Sequence, residues 1–402
     1  MLLRTFSACA LGVTLASAFG VYAQDEFSPE SGIQPIYVRP LFSSNEKGHN
    51  DSSPSWAHGG GLLAFERAEE SKREIVIART DGTIVKNVYY QTDEDDLGLG
   101  ALLPGLGKSV SYNSGIAWSR MGDKFVFMSN AGEGNYDLYL GTLEGKAVQR
   151  LTKDPQKDGQ PSWSTADGPV VFVSGRDGGA QLFLMDVASL HTDRISKSEK
   201  SYFYPRWSPD GTRIAAISGA NENHDIVIID GFSGASSAPN SAAATKPAAK
   251  PLLTERFLTT WQYDDLSPSW SPDGKHIAFY SNYNPEGDPK IWSLMVIDAD
   301  GSSPTEGDQL IARVVAHNVI PDISSGPAWL PDSKRIAYVR NDKQDYSPIF
   351  VVDAITRKES RLETGTSINH DLAISSDGIL AFRAQDNQWD QIFLVKFPEV
   401  SE

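Results

Sequence analysis

The chain has 402 residues and a single cysteine, Cys9, near its start. If the segment holding Cys9 is removed, no disulfide, thiol nucleophile or cysteine-ligated metal remains. Positive charge is also scarce: Lys+Arg is 36 against Asp+Glu 52, a formal net charge of −16. Nucleic-acid binding needs a basic footprint, so it is not expected, and docking on anionic lipid is disfavoured. Beyond the N-terminus no run is long and apolar enough to span a bilayer. The histidines, at 49, 58, 191, 224, 276, 317 and 370, show no His-x-x-x-His spacing. His49, His317 and His370 fall in segments that could share one face, but they do not specify a site.

The N-terminal segment carries one positive charge at Arg4, an apolar stretch from Phe6 to Val21, and Val21-Tyr22-Ala23 ahead of Gln24-Asp25-Glu26. Small residues at −3 and −1 before an acidic start read as a secretory signal peptide over 1–23, cut after Ala23. The expected product is exported, to the periplasm or beyond, with a short tail over 24–34.

Hydrophobic residues make up 40% of the chain, which supports a sizeable core, and Gly 34 and Pro 23 supply many turns. Internal repeats organise the rest. Pro205-Arg-Trp-Ser-Pro-Asp-Gly211 and Pro268-Ser-Trp-Ser-Pro-Asp-Gly274 are nearly the same heptapeptide, with Pro161-Ser-Trp-Ser-Thr-Ala-Asp-Gly168 and Pro327-Ala-Trp-Leu-Pro-Asp332 as close variants. Pro54-Ser-Trp-Ala-His and Ile116-Ala-Trp-Ser-Arg-Met-Gly-Asp123 are looser copies, and Leu372-Ala-Ile-Ser-Ser-Asp-Gly378 places Ile374 in the tryptophan slot. The tryptophans fall at 56, 118, 163, 207, 270 and 329, with shortest spacings of 44 and 45. That period matches a four-stranded propeller blade.

After each turn comes a second strand, such as Lys124–Ser129, Val170–Ser174 or His276–Ser281, and then a third, such as Leu138–Leu140, Ile226–Ile229 or Ile392–Val395. The third strands are almost continuously apolar, so both faces are covered. Fourth strands are expected at Val148–Thr152, Asp193–Ser196, Pro251–Thr254, Gln309–Ala312 and Ser360–Leu362. The seventh copy has none, while an orphan strand at Pro35–Phe42 precedes the first copy. The expectation is therefore an all-β, seven-bladed propeller over 35–402, its last blade completed by the N-terminal strand.

Trp-Ser-Pro-Asp-Gly followed by Ile-Ala-Phe resembles the TolB-type, WD40-like propeller repeat, shared with the propellers of prolyl-oligopeptidase-like and tricorn-like proteases. The resemblance covers about 35–397 and implies the fold. The motif residues are structural: tryptophan between blades, Pro-Asp-Gly in a tight turn. TolB itself is similar to an α/β domain followed by six blades, whereas seven copies are counted here, so its role in the Tol–Pal system is not carried over. There is no Gly-x-Ser-x-Gly elbow for a hydrolase. Oligogalacturonate lyases share the repeat type and use a histidine-held metal.

Loops joining second to third strands, and each blade to the next, share one face, termed here the front face. The Pro-Asp-Gly turns share the other. Long insertions collect in front: 92–112, with Asp93-Glu-Asp-Asp96; 255–264, with Trp261 and Tyr263; and 282–289, 341–347 and 385–389, which supply Tyr283, Tyr346 and Trp389. These aromatics are candidate anchors for a protein or glycan partner. Five positions before each tryptophan slot lie Asp51, Asn113, Asp158, Tyr202, Asp265, Ser324 and Asn369. Asp51, Asn113, Asp158, Asp265 and Asn369 are expected as an oxygen-rich ring near the axial mouth, with calcium conceivable at Asp51, Asp158 and Asp265. No cofactor is required and no catalytic residue is assigned. The Ala/Ser/Pro-rich 233–250 reads as a loop on the turn face. The leading expectation is a non-enzymatic binding scaffold, a monomer or a subunit of an envelope complex. The alternative is a carbohydrate-active lyase or hydrolase working on the front face.

Overall fold

A computed structural model describes residues 32–42, 48–69, 72–88, 112–131, 135–145, 147–166, 168–220, 223–232, 253–284, 287–288, 290–303, 305–306, 309–342, 346–386 and 389–398. The expected signal peptide, the acidic run at 93–96 and the loop at 233–250 lie outside them.

The described residues form seven four-stranded antiparallel sheets and one small two-stranded ribbon. In blades one to six the strands run in chain order, with the tryptophan-slot strand first; blade four, for example, is Ser201–Trp207, Arg213–Ala220, Asn223–Asp230 and Thr254–Phe257. Blade seven takes Asn369–Ile374, Ile379–Asp386 and Trp389–Lys396 from the C-terminal end, and its fourth strand is Tyr37–Pro40. The register runs from Tyr37 opposite Lys396 to Pro40 opposite Phe393. The closure expected for the orphan strand is thus present, over a shorter core than Pro35–Phe42. Beside it, Ile33 bridges Leu362 at the edge of blade six.

Two fourth strands differ from expectation. In blade four the strand is Thr254–Phe257, not Pro251–Thr254, whose first two residues lie outside the described ones. In blade five it is Arg313–Val319, while Gln309–Leu310 pairs with Thr305–Glu306 in the small ribbon. Val315 and Ala316 are buried in this later strand, so burial selects it over the earlier segment.

Seven hydrophobic clusters make up the core, one at each junction between consecutive blades. Blades five and six share Tyr280, Leu294, Val296, Trp329, Ile336 and Phe350; blades seven and one share Leu41, Leu63, Phe65, Ala381 and Leu394. The tryptophan also makes a polar link. Its Nε1 donates to the carbonyl one residue before the slot of the preceding blade: Trp56 to Ala373 at 3.1 Å, Trp118 to Ser55 at 3.3 Å, Trp270 to Arg206 at 3.1 Å and Trp329 to Ser269 at 3.1 Å. Trp207 keeps the link through its backbone N–H, which donates to Ser162 Oγ at 3.3 Å. Trp163 departs from the pattern and donates to Gly168 in its own turn.

The turn motif is equally regular. Ser208 Oγ donates to Asp210 at 2.5 Å and accepts from Arg213 N–H at 3.0 Å, and Ser271 repeats this with Asp273 and His276. Gly211 and Gly274 close the turns at φ of 68° and 70°, a region that disfavours any side chain.

Two outcomes follow. Deleting 32–42 leaves Trp389–Lys396 as an unpaired edge and removes the buried Leu41; the monomer should lose its cooperative melting transition or associate, read by thermal melting with size-exclusion chromatography. Trp329→Ala should cost about 3–5 kcal/mol and Trp329→Phe about 1–2 kcal/mol through the orphaned Ser269 carbonyl, measured by denaturant titration.

Candidate functional site

The first strands surround a central cavity of about 780 Å³, lined in part by Pro54, Gly115, Gln160, Tyr204, Trp270 and Ala373. Each first strand is bent at one place. Three positions before the tryptophan slot, Ser53, Gly115, Gln160, Tyr204, Ser267, Gly326 and Asp371 all hold positive φ, between 49° and 74°. Only two of the seven are glycine; the other five carry backbone strain of about 1–2 kcal/mol each. The bend links blades around the axis: Tyr204 N–H donates to Gln160 Oε1 at 2.7 Å, Ser53 N–H to Asp371 Oδ2 at 3.1 Å and Gly115 N–H to Glu66 Oε1 at 3.2 Å. Glu66 is paired in turn with Arg73 at 3.2 Å, and Arg206 projects a guanidinium to the Ser324 carbonyl.

The residues five positions before the slot have a different place. Asp51, Asn113, Asp158, Asp265 and Asn369 are buried at the front end of the first strands, and the cavity lining does not include them. They begin polar rows that cross the blades. In blade two Asn113 lies opposite Ser129 and Ser129 opposite Asp137; in blade three Asp158 lies opposite Ser174 and Ser174 opposite Gln181. Blade four aligns Tyr202, Ser218 and Asp225, and blade five aligns Asp265, Ser281, Ser293 and His317. Most carboxylates in these rows are held by arginine. Asp51 receives Arg67 through two bonds of 2.8 Å, Asp158 receives Arg176 at 2.9 and 3.1 Å, and Asp137 receives Arg150 at 2.6 and 3.1 Å. Asn369 donates to the Ser347 carbonyl at 2.8 Å.

Asp265 is the exception. It is fully buried, and neither carboxyl oxygen makes a hydrogen bond of good geometry. Burial pushes its carboxyl up to about 8, against the opposing effect of nearby Ser281, Thr259 and Trp261, and the Asp225 charge adds to the rise. Among the described residues no group of three or more His, Cys, Asp or Glu is placed to hold a metal. His49 pairs with Glu69, His317 with Ser293, and His370 stands on the first strand of blade seven, so the three are not brought together.

Three of the expected aromatics meet at the front of blades four and five. Tyr263 and Tyr283 are in edge contact at 5.2 Å, and Trp261 and Tyr283 pack on the blade-four/five core. The other two stand apart. Tyr346 lies under Arg361 at 5.4 Å. Trp389, 38% exposed, presses on Gly48, where an added Cβ would lie 2.7 Å from the ring.

Asp265 makes a pH prediction. Its folded pKa lies above the unfolded value, so its contribution is most favourable below about pH 4 and is lost as pH rises towards 8. In metal-free buffer, Asp265→Asn should shrink the fall in Tm between pH 5 and pH 8, measured by paired melts with the unsubstituted chain.

Comparisons with known proteins agree with this architecture. A profile described as the TolB beta propeller domain matches residues 106–251. The Tol-Pal system protein TolB of Francisella tularensis subsp. mediasiatica is 23% identical over 272 residues, covering 58% of this chain and 57% of that protein; TolB of F. tularensis subsp. tularensis strain SCHU S4 matches to the same extent. The chain thus spans little more than half the length of these curated relatives. In structure, an oligogalacturonate lyase from Vibrio parahaemolyticus matches with TM-score 0.59 at 11% identity, over 90% of this chain and 94% of that one. A puromycin-hydrolyzing peptidase of Mycobacterium tuberculosis also gives 0.59, at 12% identity over 88% and 53%. At such identities the structural likeness concerns the fold alone. The chain is a seven-bladed β-propeller whose repeats are similar to those of the TolB family.

Proposed function

We propose that this chain is an exported, non-enzymatic scaffold of the bacterial envelope that binds a protein or glycan partner on the front face of its propeller. The observation that carries the reading is the aromatic group at blades four and five, where Trp261, Tyr263 and Tyr283 converge on a rigid double-blade support. Aromatic side chains held by packed strands bind with little loss of rotamer entropy and dominate interface energetics. Trp389 supplies a second exposed ring on blade seven. The N-terminal pattern ending at Ala23 supports export. Similarity to proteins named for the Tol–Pal system supports an envelope setting, and the net charge of −16 favours a neutral or basic partner.

The test is capture of partners from bacterial envelope extract and from a glycan array. Trp261→Ala and Trp389→Ala should each lower retention, by about tenfold or more where the ring is an anchor; because Trp261 also packs on the core, both are compared well below the melting temperature of each variant. If both variants keep every partner that the unsubstituted chain binds, the reading is wrong. Depolymerisation of a uronate polymer by the unsubstituted chain would instead favour the carbohydrate-active alternative.

A further inference from the structure

The polar rows allow one blade junction to be compared with another. Between blades two and three, Asp158 N–H on a first strand donates to the Tyr136 carbonyl at 2.8 Å, beside Asp137 on the preceding third strand, and the Asp158 charge adds to burial in raising the Asp137 carboxyl. Two guanidinium groups settle this pair. Arg150, opposite Tyr139 on the fourth strand, binds Asp137. Arg176, two residues past Ser174, binds Asp158, and its N–H also donates to Ser174 Oγ.

Between blades four and five the same pair recurs as Asp225 and Asp265, whose chain neighbours His224 and Asp264 are in contact at 2.9 Å. Both arginines are gone. The position matching Arg150 is Phe257, opposite Val227 on the fourth strand. The position matching Arg176 is Tyr283, two residues past Ser281, with its N–H donating to Ser281 Oγ in the same way. Lys200 reaches Asp225 Oδ2 only at 3.4 Å. Asp225 Oδ1 and Ser218 Oγ are buried without a partner, and around Asp265 stand Ser281, Thr259 and Trp261, none of them in good hydrogen-bond geometry. Ser218 stands opposite Asp225 in the ladder, so both side chains project from one face of the blade.

We propose that Asp225 and Asp265 bind a hard divalent metal cation of the calcium class, in the place that two guanidinium groups fill between blades two and three. Two buried carboxylates with a single lysine, on Asp225, must either hold a proton or take up another positive charge. An indole N–H cannot ligate a cation, so the ligating atoms are carboxylate and hydroxyl oxygens, which suit a hard cation rather than a soft one. Asp265 is 0% exposed and Asp225 4%, so the occupant is a small ion and not the side chain of a partner protein. Asp225 and Asp265 supply carboxylates and Ser218 a hydroxyl. The inference does not depend on the partner-binding reading, although the site lies at the same blade junction as the aromatic group.

The experiment uses the full chain, stripped with a chelator and returned to chelator-free buffer at pH 7.5. Calcium at millimolar concentration should raise Tm by about 3–5 °C, and titration calorimetry should give one site per chain. Asp265→Asn should remove both effects while leaving the fold intact by circular dichroism. The double variant Phe257→Arg, Tyr283→Arg, which restores the blade-two/three arrangement, should also lose the calcium response and should melt above the stripped parent. No response of the parent to calcium overturns the proposal. So does a response that survives in Asp265→Asn, or one matched by sodium or potassium at equal ionic strength.

Discussion

The junction between neighbouring blades is the interaction on which everything else depends. No blade buries its own faces; each apolar third strand is covered only by the blades on either side. Seven wedge-shaped cores replace one central core, and the last of them forms only when Tyr37–Pro40 joins the C-terminal strands. The tryptophan slot contributes twice at these junctions. Its ring fills the wedge, and its Nε1 satisfies a carbonyl of the preceding first strand. Trp163 and Trp207 do not make the Nε1 link, and in blade seven Ile374 fills the slot with neither ring nor donor.

The ring leaves two polar zones that differ in kind. Around the axis, backbone N–H groups turned inward by the bent first strands are bound by side chains from the neighbouring blade. At the front ends, rows of serine and carboxylate cross each sheet and are closed by arginine. The first zone fixes how the blades are arranged about the axis. The second is local: Asp51, Asp137 and Asp158 are each closed by an arginine of their own blade, whereas Asp265 is not.

The parts that were legible in the sequence are those with a fixed residue type. The tryptophan slot, the Ser-Pro-Asp-Gly turn, the second and third strands and the unpaired N-terminal strand each follow from composition and spacing. The bent residue three before the slot was not legible, because Ser53, Gln160, Tyr204 and Asp371 share no chemistry; their common property is a backbone angle. The fourth strands of blades four and five were misplaced because insertions break the spacing and burial alone selects the pairing segment. For the residues five before the slot, the recurrence was visible but their arginine partners were not, since those lie on other strands. Phe257 and Tyr283, which stand where blades two and three carry arginine, lie on other strands and loops than the carboxylates, so chain spacing does not reveal them. Trp261, Tyr263 and Tyr283 were found from loop position alone, and the structure brings these three together while Tyr346 and Trp389 stay apart.

Closure by the N-terminal strand also has a kinetic consequence. Tyr37–Pro40, the first strand in chain order among the described residues, finds its ladder in Trp389–Lys396, the last. Six blades pair strands from their own stretch of chain, but the circle stays open until this one long-range pairing forms. The entropy of bringing such distant ends together grows only slowly with length, yet pairings of this range are slow to form. An unzipped seventh blade, with a vacant strand edge, is therefore the natural late intermediate, and the species most exposed to strand exchange with a second molecule.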